Sequence, residues 1–149
     1  MILVDADACP VKDEIYKVAF RYGVAVKLVS NAYMRIPQHT LISIEVVNDA
    51  FDAADDHIVE LTTPEHIVIT ADILLAERCL KTGTQAVISP NGKLFTENMI
   101  GTAVATRAIM ADLRAGGEQI GGPAPFRKQD RSRFLSTLDE AVTRLLRGR

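Results

Sequence analysis

The chain has 149 residues, of which 48% are hydrophobic and 24% charged, with a formal net charge of −2. That is the profile of one ordinary globular domain, and it argues against broad, charge-driven coating of nucleic acid. No apolar stretch approaches the ~18 residues that span a bilayer. The start of the chain meets Asp5 with no basic leader before it, so no secretory signal is expected and a cytoplasmic location is the default. Cys9 and Cys79 provide neither a disulfide framework nor a metal-ligand spacing.

Taken in order, the chain alternates strands and helices. Ile2-Leu3-Val4 is a short apolar run ending in Asp5, read as strand one over 2–5. A helix is predicted over 10–22, with Pro10 at its first position and Ile15, Val18, Ala19 and Tyr22 on one face. Gly23 is its stop. Val24 to Val29 reads as strand two, Asn31 to Thr40 as a loop, and the alternating Leu41 to Val47 as an edge strand. A helix over 51–61, a strand over 66–70, a helix over 73–82 ended by Gly83 and a strand over 84–88 follow, then an Asn91-Gly92 turn. Beyond it a helix is expected over 97–114, an unpatterned Gly/Pro-rich loop over 115–130, and a last helix over 131–147 with Phe134, Leu138, Ala141 and Leu145 on one face.

Five strands interleaved with helices imply a single α/β domain over 1–149, three-layered and Rossmann-like, with a mostly parallel five-stranded sheet. Ligands in such sheets bind beyond the carboxyl ends of the strands, where the strand order reverses. A 3-2-1-4-5 order would set strands one and four side by side there, and Asp5, Asp7 and Asp72 would share one crevice.

Asp5 directly follows a buried-looking run, where an unpaired charge is costly. Asp7 could instead cap the helix at Pro10, and Asp72 could cap the helix after it. Asp52, Asp55 and Asp56 crowd one helical face at i, i+3 and i+4, a mutually repelling set. A solvated acidic turn accounts for part of it; Asp56 is favoured over Asp55 as the residue facing the crevice. Oxygen ligands without His or Cys select a hard cation, Mg²⁺ or Mn²⁺. The expected ligands are Asp5, Asp7, Asp55, Asp56 and Asp72, with Asp5, Asp72 and Asp56 catalytic. His39, His57 and His66 show no ligand spacing. Arg127, Lys128, Arg131 and Arg133 concentrate positive charge near the C-terminus. They read either as an arm whose Arg127, Lys128 and Arg131 meet substrate phosphates, or as a linker and the solvated face of the last helix. Cys9, near a helix start, is a candidate reactive thiol, though small packing is the commoner role.

The stretches DADACPVKDEIY, FDAADDHIVE and VITADILLAERCLKTG, with GGPAPF and DRSRF near the C-terminus, together resemble the YaiI/YqxD-type bacterial proteins over nearly the whole chain. That family is similar in turn to the PIN-like nucleases. The resemblance implies a sheet ordered 3-2-1-4-5, metal-dependent hydrolysis of RNA, and an acidic site matched by Asp5, by Asp55 or Asp56, and by Asp72. Two departures stand out: no further acid after Asp72 matches the usual fourth position, and the C-terminal segment has no counterpart in common PIN domains. PIN-like domains often pair, so the resemblance also allows a homodimer. Two other functions compete. Asp5-Ala6-Asp7 echoes the nucleophile and acid pair of haloacid-dehalogenase-like phosphatases, but Cys9 stands where that family has Thr or Val. A non-catalytic nucleic-acid-binding or regulatory module would retain the acids for a structural metal.

Overall fold

A computed structural model describes residues 1–47, 53–96 and 128–147. Five short strands form one sheet: β1 (Ile2–Asp5), β2 (Val26–Ser30), β3 (Ile42–Val46), β4 (Ile67–Ile69) and β5 (Ala86–Ile88). All four neighbour pairs are parallel and the order is β3-β2-β1-β4-β5. The expected switch point is therefore present, with β1 flanked by β2 and β4, and β3 at an edge as its alternating sequence implied.

Alternation along β1 divides the core. Ile2 and Val4 face a cluster built with Ile15, Val18 and Ala19 from α1 (Lys12–Tyr22) and Phe134, Leu138 and Val142 from α4 (Lys128–Arg147). Leu3 faces the opposite way, into a cluster with Ala54 and Ile58 of α2 (Ala53–Leu61) and Leu75, Ala76 and Cys79 of α3 (Ile73–Lys81). Both faces of the sheet are thus covered, as a parallel sheet requires. Among the described residues no helix is long and apolar enough to cross a membrane.

Two boundaries depart from the sequence reading, while the loop expected over 31–40 is present. A 3₁₀ turn occupies Ala6–Ala8, so α1 begins at Lys12 with Val11 at its N-cap position, and Pro10 lies ahead of the helix. The final helix starts at Lys128 rather than at 131, which takes Lys128, Gln129 and Asp130 out of the expected loop. The β2–β3 crossover over 31–41 contains no helix; Met34, Ile36 and Leu41 pack directly against the core from it. The expected helix over 97–114, most of the Gly/Pro-rich loop, Asp52 and Arg127 lie outside the described residues.

The Asn91-Gly92 turn fastens β5 to α4. Gly92 has φ of +89° and its carbonyl accepts the Thr137 hydroxyl at 2.7 Å. A Cβ at this position would stand 2.6 Å from the backbone of Arg133 and Phe134. Gly92→Ala should therefore cost more than the roughly 1–3 kcal/mol of a left-handed non-glycine residue alone, read as a lowered denaturant midpoint. The same change at Gly23, also left-handed but with nothing within 4 Å of the added atom, should show only the conformational cost.

Candidate functional site at the carboxyl edge of the sheet

Where β1 ends, two carboxylates are held by hydroxyls from the two neighbouring strands. Asp5 lies opposite Val29 in the sheet register and is half-buried. Its Oδ2 accepts a hydrogen bond from Thr70 Oγ1 at 2.9 Å, just past the end of β4. The same Thr70 oxygen accepts the backbone N–H of Asp72 at 3.0 Å. One side chain, only 1% exposed, thus ties together two acids that are 67 positions apart in sequence (72 minus 5). On the other side, Asp7 Oδ1 lies 2.6 Å from Ser30 Oγ at the end of β2, and the backbone N–H of Asn31 points at both Asp7 oxygens from 3.1–3.2 Å. Asp7 therefore fastens the β1 turn to β2. It does not cap α1, whose N-cap residue Val11 has no side-chain bond.

Asp72 does cap its helix. Its Oδ1 accepts the N–H groups of Leu74 at 2.8 Å and Leu75 at 3.3 Å, satisfying donors that the first turn of α3 would otherwise leave open. Capping fixes the carboxylate at the mouth of the crevice.

The electrostatics centre on Asp5. Burial raises its pKa above the ordinary carboxylate value, the Thr70 hydroxyl opposes that rise, and the negative charges of Asp7 and Asp72 add to it. Among the described residues no Lys, Arg or His side chain forms an ion pair with Asp5 or Asp7.

The two helix acids part company. Asp56, favoured from sequence, has a side chain 57% exposed and pairs with Arg78 of α3 at 2.8 Å. Asp55 is half-buried, and it and Asp5 both press electrostatically on the buried Cys79 thiol. The charges that bear on Asp5 itself are those of Asp7 and Asp72. His57, two positions on, bonds Glu45 of β3, which also receives Lys27 at 2.8 Å. The Lys27 and His57 bonds lower the Glu45 pKa; this network pins α2 to the sheet edge.

The C-terminal cations divide in the same way. Arg131 Nη1 donates to the Pro10 carbonyl at 2.8 Å and lies 3.4 Å from Glu14, tying α4 to the start of α1. It belongs to a docked helix, not to a loose arm. Lys128 is exposed in the first turn of α4, and Arg133 is exposed beside the Gly92 turn. Lys12 Nζ donates to the Cys9 carbonyl at 2.8 Å. Cys9 itself is buried, and burial raises its thiol pKa, which makes it packing rather than a nucleophile. Sequence reading overlooked Thr70 and Ser30. The available signal was a hydroxyl at the last position of a buried apolar run, where only a polar partner justifies it.

A doubly wound parallel sheet with acids gathered at its switch point defines the chain as a Rossmann-like α/β protein. It belongs to the YaiI/YqxD family, whose model, described as an uncharacterised one, matches residues 3–144. A UPF0178 protein of Sphingopyxis alaskensis is 62% identical over 149 residues, covering 99% of this chain and 96% of the relative. Another from Nitrobacter winogradskyi is 56% identical over 147 residues, with 99% and 93% coverage. A third, from Jannaschia sp., is 54% identical, with 97% and 94% coverage. No solved structure matches the chain significantly.

Asp5 sets a pH dependence whose sign is fixed. The folded chain holds this carboxyl protonated to higher pH than the unfolded chain, whose carboxylates titrate near about 3.9. Its ionisation therefore favours unfolding, and stability falls as pH rises from that value through the raised folded one. In chelator-containing buffer Asp5→Asn should raise Tm at pH 7, as read by thermal denaturation. The gain should vanish toward pH 3. A variant that melts lower than the parent at neutral pH contradicts this account.

Proposed function

We propose that the carboxyl-edge cluster binds Mg²⁺ or Mn²⁺ and that the protein hydrolyses phosphodiester bonds in RNA. The observation that carries this reading is Asp5: a carboxylate half-buried at the end of the central strand, repelled by two others and compensated among the described residues by one hydroxyl. A bound cation relieves that repulsion. The donor set fits a hydrated hard ion better than a caged one. Among the described residues no group of three or more His, Cys, Asp and Glu side chains is placed to hold a metal. Mg²⁺ commonly needs only one or two carboxylates, its other positions going to water and substrate phosphate.

Asp5 and Asp72 would be the direct ligands, with Asp55 contributing only through water; Asp56 is committed to Arg78. Bound there, the ion would make a water more acidic and offset charge on the phosphoryl group. The remaining work falls to the chain. Thr70 holds the Asp5 carboxylate and the Asp72 backbone in one register. Ser30 and Asn31 keep Asp7 against β2, leaving it a positioning role. The same bonds weigh against the phosphatase alternative, since both Asp7 oxygens are already engaged in fastening the turn to β2. Lys12, directed at the Cys9 carbonyl, supplies positive charge beside the crevice for a polyanion. The resemblance to PIN-like nucleases supports the choice of RNA.

The test is a panel of RNA and DNA oligomers incubated with and without Mn²⁺, with Mn²⁺ affinity measured by calorimetry. RNA should be cut only with the metal. Asp5→Asn should lower the rate by more than about 100-fold, beyond the 10–100-fold typical of a disturbed outer-shell partner. Thr70→Val should fall within that 10–100-fold range and Thr70→Ser should restore most of the rate. Unchanged Mn²⁺ affinity in both Asp5→Asn and Asp72→Asn would sink the assignment. Metal binding that depends on Asp5, without cleavage of any oligomer, would leave a binding module. A trapped phospho-aspartate would point to the phosphatase.

A further inference from the structure

The β2–β3 crossover is held at both ends and turns two unengaged side chains outward beside the acids. Its root is bonded to the site: the Asn31 N–H points at Asp7, and the Ala32 N–H donates to Ser30 Oγ at 3.2 Å. Its far end is fixed by His39, whose ring centroid lies 4.7 Å from that of Phe20 on α1 and whose Nδ1 accepts the Leu41 N–H at 3.0 Å. Between these anchors burial alternates. Met34 and Ile36 pack against the core, while Tyr33 and Arg35 point out. Tyr33 is 75% exposed, more than any other large hydrophobic residue described. Neither the Tyr33 nor the Arg35 side chain has a hydrogen-bond, ion-pair or ring partner among the described residues.

An aromatic ring left in water on a braced segment, with a cation two positions along, has the makings of a stacking platform. Tyr33 lies three positions beyond Ser30, so the ring is rooted within about 10–11 Å of the strand end that carries the Asp7 contact. We propose that Tyr33 stacks on a base and Arg35 contacts a phosphate of single-stranded nucleic acid as the strand leads into the Asp5–Asp72 crevice. The proposal rests on the hydrolase reading for its substrate class. Single strands expose base faces that a duplex hides, and stacking on them tolerates any sequence. The ring supplies the stacking surface; the guanidinium adds a salt-sensitive contact that orients the strand.

Binding is measured apart from cleavage, by fluorescence anisotropy of labelled single-stranded RNA, single-stranded DNA and duplex oligomers of equal length, in EDTA. Wild-type protein should bind single strands more tightly than duplex, and the RNA and DNA arms report which sugar is preferred. Tyr33→Ala should weaken single-strand binding by about 5- to 100-fold and Tyr33→Phe should retain it. Arg35→Ala should weaken binding and reduce the steepness of log K against log salt by about 0.7, the slope of one phosphate contact on a single strand. Equal affinity of Tyr33→Ala and wild type, preference for duplex, or no binding by wild type each overturns the proposal. So does a change of oligomeric state in Tyr33→Ala by analytical ultracentrifugation, which would make the ring a contact between copies of the chain. Mn²⁺-dependent cleavage unaffected by Tyr33→Ala would remove the platform and spare the hydrolase; Tyr33-dependent binding without cleavage would do the reverse.

Discussion

A carboxylate carried by the innermost strand of a parallel sheet has nowhere comfortable to go. Behind Asp5 lies the buried Ile2-Leu3-Val4 run, and around it stand Asp7 and Asp72, so burial and repulsion both disfavour its charge. Among the described residues no lysine or arginine pairs with Asp5. Hydroxyls on the flanking strands hold the acids instead, Thr70 on the β4 side and Ser30 on the β2 side, each essentially sealed from water. A neutral donor eases desolvation without cancelling charge. The crevice keeps its negative potential, and the geometry is fixed by bonds reaching across three adjacent strands.

Much of this framework is legible in the residues because the signals agree. Three largely hydrophobic runs, at Ile2–Val4, Val24–Val29 (interrupted by Lys27) and Ile67–Ile69, are too short for helices and are flanked by turn chemistry, so they read as mostly buried parallel strands. The stripes Ile15-Val18-Ala19 and Phe134-Leu138-Ala141-Leu145 identify the two helices on one side of the sheet. Their adjacency to strands then places Asp5 and Asp72 at one edge. Exact helix starts were less accessible. Pro10 is as compatible with a turn before a helix as with its first position, and only the 3₁₀ turn after Asp5 selects between them.

Partner choice was the illegible part of the site. Asp55 and Asp56 differ by one position in a helix, about 100° of rotation, and composition says nothing about which way that helix is rolled. Packing of Ala54 and Ile58 against the sheet sets the roll, and Arg78 on the neighbouring helix then claims Asp56. Asp7 carried a similar ambiguity. Its proximity in sequence to α1 suggested a cap, but the pairing of β1 with β2 brings Ser30 and Asn31 closer than any N–H of that helix. Both cases turn on contacts between residues distant in the chain, 22 positions apart for Asp56 and Arg78 and 23 for Asp7 and Ser30.

The disposition of cations around the crevice follows the same economy of charge. Lys12 and Arg131 lie at the start of α1, where Lys12 and Asp5 both act on the Cys9 thiol. Their donors go to the carbonyls of Cys9 and Pro10. Arg131 is partly neutralised by Glu14, 3.4 Å away, whereas Lys12, bonded to a neutral carbonyl, retains more of its charge toward its surroundings than it would if paired with Asp5. Positive rim and negative centre can then coexist a short distance apart, each unsatisfied by the other. In the proposed hydrolysis a small hard cation takes the centre and an extended polyanion the rim. Tyr33 and Arg35, on a crossover rooted at Asp7, extend that rim outward along β2. Burial, repulsion and the direction of a few hydrogen bonds thus set an acidic centre and a more basic margin along one edge of the sheet, the division on which the proposed metal-dependent hydrolysis rests.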